Sequence, residues 1–157
     1  MHRSIRLSTL ALTLTTVLAG CASAPKSLDE LPRTPDASVE EILKNAGRYE
    51  GAEANLLRLH AAQTALNNGN PEQTSRILQD IPQSDLPTDQ QIRFSELQAT
   101  SALALGDSAG ALRAIQPPAL RQLDIRPLAE QLRLQQLRAD ILDTNGLFVD
   151  AAQERVY

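Results

Sequence analysis

Three features of the sequence point to an all-α chain built from antiparallel helix pairs. Aromatic residues make up only 3% of the 157 positions, while Leu, Ala and Gln, which lose little side-chain freedom in a helix, recur throughout. Helix-start signals recur along the chain, each followed by apolar residues at helical spacing. Single glycines that break these runs stand at Gly69, Gly106 and Gly146, 37 and then 40 residues apart, within the range of helical repeat arrays.

Residues 1–20 form a separate address. His2, Arg3 and Arg6 precede the mildly apolar stretch from Leu7 to Leu18, and Ala19 and Gly20 supply the small residues of a cleavage site. Spanning hydrocarbon takes about 20 apolar residues, so this shorter run is a secretory signal rather than a membrane-crossing helix. Leu18-Ala19-Gly20-Cys21 resembles the bacterial lipobox. The resemblance implies cleavage between Gly20 and Cys21 and attachment of diacylglycerol and an N-acyl chain to the sulfur. Cys21 is the only cysteine, so no disulfide closes within the chain, and lipidation accounts for a lone secreted thiol. Each buried methylene contributes about 0.8 kcal/mol, so one acyl chain holds marginally and two or three hold durably. Ala22 in place of an Asp after the cysteine resembles cargo sent to the outer membrane, which implies an anchored protein on its periplasmic face.

Residues 21–37 follow as a lipidated, Pro-rich tether. Pro25, Pro32 and Pro35 are spaced so that neither a helix nor a sheet ladder runs through. At roughly 3 Å per residue in an extended state, about sixteen residues span on the order of 50 Å.

The helical domain is expected over residues 38–157. Ser38-Val39-Glu40-Glu41 has the form of a capping box, in which Ser38 bonds a first-turn amide and Glu41 reaches back to the cap. A periodic run from Glu50 to Asn67 ends at Asn68-Gly69. Asn70 then suits an N-cap, Pro71 the first helical position, and Ile77, Leu78 and Ile81 the buried face before Pro82. The second unit opens with Thr88 to Gln91 as another capping box, breaks at Gly106 and continues from Ala109 to Ile115. A third begins near Pro127, breaks at Asn145-Gly146 and resumes from Leu147 into Ala151-Ala152.

Aligning the three glycines aligns other positions. Seven residues earlier stand Ala62, Ala99 and Ala139; twelve earlier, Leu57, Phe94 and Leu134; five later, Thr74, Ala111 and Ala151. Small residues there allow close approach of paired helices. The pattern resembles the tetratricopeptide repeat with most of its aromatic positions lost. That resemblance implies a short superhelical array in which Ala62, Ala99, Ala139, Gly69, Gly106 and Gly146 set the packing.

The residues offer little chemistry. Cleavage would remove Arg3 and Arg6, taking 15 basic residues to 13 against 19 acidic ones, a mature net charge of −6 that disfavours nucleic acid. His60 would be the only remaining histidine, and with Cys21 acylated no zinc site or Cys-His nucleophile can be assembled; no metal is expected. Between Leu59 and Ala61, His60 reads as a partly buried, hydrogen-bonded core histidine. No G-x-S-x-G elbow or S-x-x-K motif occurs in the mature sequence. Glu40 and Glu41 diverge on a helix, and their first-turn position is explained by capping and the helix dipole. A non-enzymatic protein without a cofactor, apart from its covalent lipid, is expected.

Together the lipobox, the tether and the phrases SVEEILKNAG, LLRLHAAQTALNNGN and LRADILDTNGLFVDAAQERV resemble the start of the LpoA-type penicillin-binding protein activators. The resemblance implies an outer-membrane lipoprotein that stimulates a bifunctional class A penicillin-binding protein, a peptidoglycan synthase. It also implies a larger following domain, similar to periplasmic ligand-binding proteins, that carries the chief synthase contacts. Ending at Tyr157 inside the second helix of the third unit, the sequence reads as truncated, and as the anchoring and spacing portion. The other reading is a different tetratricopeptide-type lipoprotein, an adaptor in envelope assembly or in the control of a cell-wall hydrolase.

Overall fold

The computed structural model describes residues 38–116 and 126–156, all helix, turn or coil with no strand. Residues 1–37, with the expected leader, Gly20, Cys21 and the expected tether, lie outside the described residues. Seven helices follow in order: α1 (Val39–Ala46), α2 (Gly51–Asn67), α3 (Pro71–Gln79), α4 (Thr88–Ala104), α5 (Ser108–Ala114), α6 (Leu128–Thr144) and α7 (Phe148–Val156), with a 3-10 turn at Gln83–Asp85. The pairs α2/α3, α4/α5 and α6/α7 are the most extensively packed neighbours, together with α1 against α2.

The long helices α2, α4 and α6 are each 17 residues. Each ends in the same hydrogen-bonded turn. Gly69, Gly106 and Gly146 adopt φ of 73°, 77° and 76°, and their amides donate to the carbonyls of Leu66, Leu103 and Asp143. The following amides, of Asn70, Asp107 and Leu147, donate to Ala65, Ala102 and Leu142. This pair of bonds is the Schellman arrangement, which needs a left-handed residue at the position each glycine fills. In two turns the residue after glycine also caps the next helix: Asn70 Oδ1 accepts from Gln73 N at 3.1 Å and Asp107 Oδ1 from Gly110 N at 2.7 Å. One residue thus closes one helix and opens the next, which fixes a tight antiparallel pair.

Helix starts depart from expectation in three places. Ser38 Oγ accepts from Glu41 N at 3.2 Å, but no described bond returns from the Glu41 side chain. Thr88 is not a cap: α4 begins after Pro87, whose φ of −54° and ψ of 152° already turn the chain, so Thr88 is helical and cannot take the extended conformation a capping side chain needs. Gln91 instead donates to the Leu86 carbonyl at 2.9 Å. The α5 helix starts one residue before Ala109 because the Asp107 cap initiates it there.

The core is in two main parts that share α4. Val39, Ile42, Leu59, Ala61, Ile77 and Leu78 join Phe94 and Leu97 in the first; Ile92 and Ala99 join Ala111, Ala114, Leu134 and Ile141 in the second. Helix α2 is buried nearly all round, with Leu56, Leu57, Leu59, Ala61, Ala62 and Ala65 all below the surface, because α1, α3 and α4 surround it. Helix α6 touches α4 and α5 more sparingly, and it buries only Leu134, Ala139 and Ile141.

Candidate interaction surface

The packing residues come first, since they set where exposed side chains point. Ala62, Ala99 and Ala139 are fully buried, as are Thr74, Ala111 and Ala151. In the first pair the contact is direct: the one proton of Thr74 Oγ1 is shared between the Ala62 carbonyl at 3.2 Å and the Asn70 carbonyl at 3.1 Å. A hydroxyl can reach the backbone of the opposing helix only where the side chain it faces is small.

Between the N-terminal halves of α4 and α6 lies an open cleft of about 310 Å³. Its wall is an ion-pair cluster. Glu96, with a side chain only 12% exposed, receives Arg133 through two bonds, Nε to Oε1 at 2.8 Å and Nη2 to Oε2 at 3.0 Å. Arg93 adds a third contact to Oε2 at 2.8 Å. Arg126 pairs with Glu130 at 3.0 Å on the α6 side. The fork between Arg133 and Glu96 joins two helices of different pairs, so it fixes their relative register as well as contributing charge attraction. This cluster was not among the residues singled out from sequence, although a signal existed: Arg93 and Arg133 both stand thirteen residues before a turn glycine. Asp107 was missed too, though it follows Gly106 as Asn70 follows Gly69.

Elsewhere the chemistry is sparse. His60 is half-buried, and its imidazole has no hydrogen-bond partner among the described residues, a departure from the hydrogen-bonded histidine expected; burial alone holds its pKa below the ordinary 6.5. Glu40 is exposed, and its carboxyl is held below the usual range first by a backbone amide at the helix start and then by Gln73, whose Nε2 donates to it at 3.5 Å. No cluster of three His, Cys, Asp or Glu side chains suited to a metal occurs among the described residues. No described helix is long and apolar enough to cross a membrane. On α7, Phe148, Val149 and Val156 are exposed, at 67%, 73% and 79%. The positions equivalent to Val149 and Val156 in α3 hold Glu72 and Gln79.

Comparison with known proteins adds one positive finding. A family model described as "LppC putative lipoprotein" matches residues 32–157, which takes in all seven helices. The match agrees with the likeness drawn from the lipobox and the helical phrases. No curated protein and no solved structure matches the chain.

Proposed function

The chain belongs to the LppC lipoprotein family, and from that membership we propose that it is the anchoring and spacing portion of an outer-membrane lipoprotein that activates a bifunctional class A penicillin-binding protein. In this reading Cys21 carries the lipid and residues 22–37 hold the helices off the membrane surface. The helices form a tetratricopeptide-like wall for a protein partner on the periplasmic face. The contribution is positional: anchor, tether and helices set the distance between the membrane and the synthase-contacting domain that follows, and no side chain of the chain performs bond chemistry.

The observation that carries the proposal is the family match across the helical residues. Three further features support the tetratricopeptide-like assignment. The long helices have equal length, the glycine turns share one hydrogen-bond pattern, and a fully buried alanine stands seven residues before each turn glycine. Stacked helix pairs of this kind build extended binding faces.

The test separates anchoring from contact. Cys21→Ala is expected to move the protein from the outer-membrane fraction to the soluble periplasmic fraction and to abolish its support of wall synthesis in cells. The same variant mixed with purified synthase in solution is expected to behave as the anchored protein does in detergent. Undiminished support of wall synthesis by the unanchored protein would refute the positional mechanism.

A further inference from the structure

Two Asn-Gly pairs occur in the sequence, Asn68-Gly69 and Asn145-Gly146, and both close a long helix in the same kind of turn. Such a pair is chemically labile, because glycine has no side chain to keep its amide nitrogen away from the asparagine carboxamide. In the folded turns that nitrogen is occupied: Gly69 donates to the Leu66 carbonyl at 2.9 Å and Gly146 to the Asp143 carbonyl at 3.0 Å. The asparagine side chains differ. Asn68 is exposed, and its carboxamide has no hydrogen-bond partner among the described residues. Asn145 Nδ2 instead gives one proton to the Ile141 carbonyl at 2.8 Å and the other to the Ser108 carbonyl at 3.0 Å. The second bond ties the end of α6 to the start of α5, and so joins two helix pairs.

Attack on either carboxamide waits on local opening of its turn, and the two turns are unequally secured. Eight and nine residues after Gly69 stand Ile77 and Leu78, both buried, and α1 and α4 pack on that pair from outside. The equivalent positions after Gly146 hold Glu154, paired with Arg138, and Arg155, paired with Asp140 and Asp143. Burial of two aliphatic side chains shifts an opening equilibrium by about a hundredfold or more. An exposed ion pair contributes about two- to fivefold, and the bonds of the Asn145 carboxamide a similar factor each. The α6/α7 turn therefore opens more often. We propose that Asn145 is a deamidation site, and that its conversion unties the α6/α7 pair from α5. When the turn opens, Gly146 N bonds to Asn145 Cγ, the carboxamide C–N bond breaks, and ammonia leaves with the proton of the glycine amide. Water then opens the cyclic imide at one of its two carbonyls, leaving an aspartyl or an isoaspartyl residue. Neither product restores the tie. A carboxylate has no proton for the Ser108 and Ile141 carbonyls, and its charge is unfavourable at the C-terminal end of α6. The step runs one way, and it stands on the turn geometry without the synthase reading.

The test ages the full chain in detergent micelles at mildly alkaline pH and follows the two Asn-Gly peptides by mass spectrometry, with isoaspartate read by enzymatic methylation. In the folded protein Asn145 is expected to convert at least fivefold faster than Asn68. In strong urea, where no turn protects either pair, the two should convert at closely similar rates. Hydrogen exchange in α6 and α7 is expected to quicken at least fivefold in the Asn145→Asp variant, with α2 and α3 unchanged. Asn145→Gln, whose larger ring closes slowly, should abolish the conversion in its peptide. Conversion of Asn68 as fast as Asn145 in the folded protein would overturn the proposal. So would an Asn145 that converts only in urea, or a mass gain that persists in Asn145→Gln. Exchange in α6 and α7 indifferent to Asn145→Asp would overturn the role of the tie.

Discussion

Replacing Ala62 with Leu is the sharpest perturbation of the helix pairing. Ala62 has no exposed surface, and the Thr74 hydroxyl donates to its carbonyl across the α2/α3 crossing. Three added carbons have no space there unless the helices part. Overpacking of this kind costs about 1 to 3 kcal/mol. Parting the helices also withdraws the Ala62 carbonyl from the Thr74 hydroxyl, which keeps the Asn70 carbonyl as acceptor, so the further loss is at most about 0.5 kcal/mol. The expected loss is therefore about 1 to 3.5 kcal/mol, which at about 4 °C per kcal/mol lowers the melting temperature by roughly 4 to 14 °C. Ala104→Leu is the control, because Ala104 is exposed at the end of α4 and the change should stay within about 0.5 kcal/mol. Thermal unfolding followed by helical circular dichroism, with urea unfolding to check the slope, reads both. If Ala62→Leu melts with Ala104→Leu, Ala62 does not sit at a close crossing and the alignment of the three units by their glycines is wrong.

Other outcomes follow from the same structure. Gly106→Ala should cost about 1 to 2 kcal/mol from the backbone alone, because φ is 77° and nothing lies within 4 Å of an added Cβ; Gly106→Asn should cost less, and equal losses in urea unfolding would contradict a conformational origin. Glu96→Gln should destabilise by about 1 kcal/mol, discounted because Arg133 is half-exposed, and a double-mutant cycle with Arg133→Gln should show a coupling that shrinks in high salt. No coupling would mean that the fork does not join α4 to α6 in solution. For His60 the folded pKa lies below 6.5, so the unfolded chain binds more protons in the interval between the two values. Its contribution is complete above pH 6.5 and is lost as pH falls from there toward the folded pKa, at no more than about 1.4 kcal/mol per pH unit. Stability measured from pH 5 to 8 should show that slope, and His60→Gln should flatten it; an unchanged slope would assign it to other groups.

Much of the local structure was legible because it depends on neighbours in sequence. Asn70 and Pro71 declare a helix start, and Gly69, Gly106 and Gly146 declare the turns, since a left-handed backbone and a side-chain cap are settled within a few residues. The long periodic runs delimit α2, α4 and α6 for the same reason. The cap at Thr88 was misplaced because Pro87 competes for that role, and a Thr-x-x-Gln pattern does not say which of two adjacent residues turns the chain. The cleft was not legible. Arg133 and Glu96 are 37 residues apart, and only the stacking of α6 on α4 brings a guanidinium within 2.8 Å of that carboxylate.

The sequence by itself determined the helical class, the three breaks and the small residues buried in the long helices. Each follows from backbone preference or a contiguous motif that needs no distant partner. The tertiary structure decided which charges meet, that α4 serves both cores, and that the Asn145 carboxamide reaches the Ser108 carbonyl of α5. These are properties of contact between helices. A one-dimensional pattern marks a polar residue on a helix, but whether that residue is solvated, paired or left wanting a partner depends on what the neighbouring helix carries to the same place.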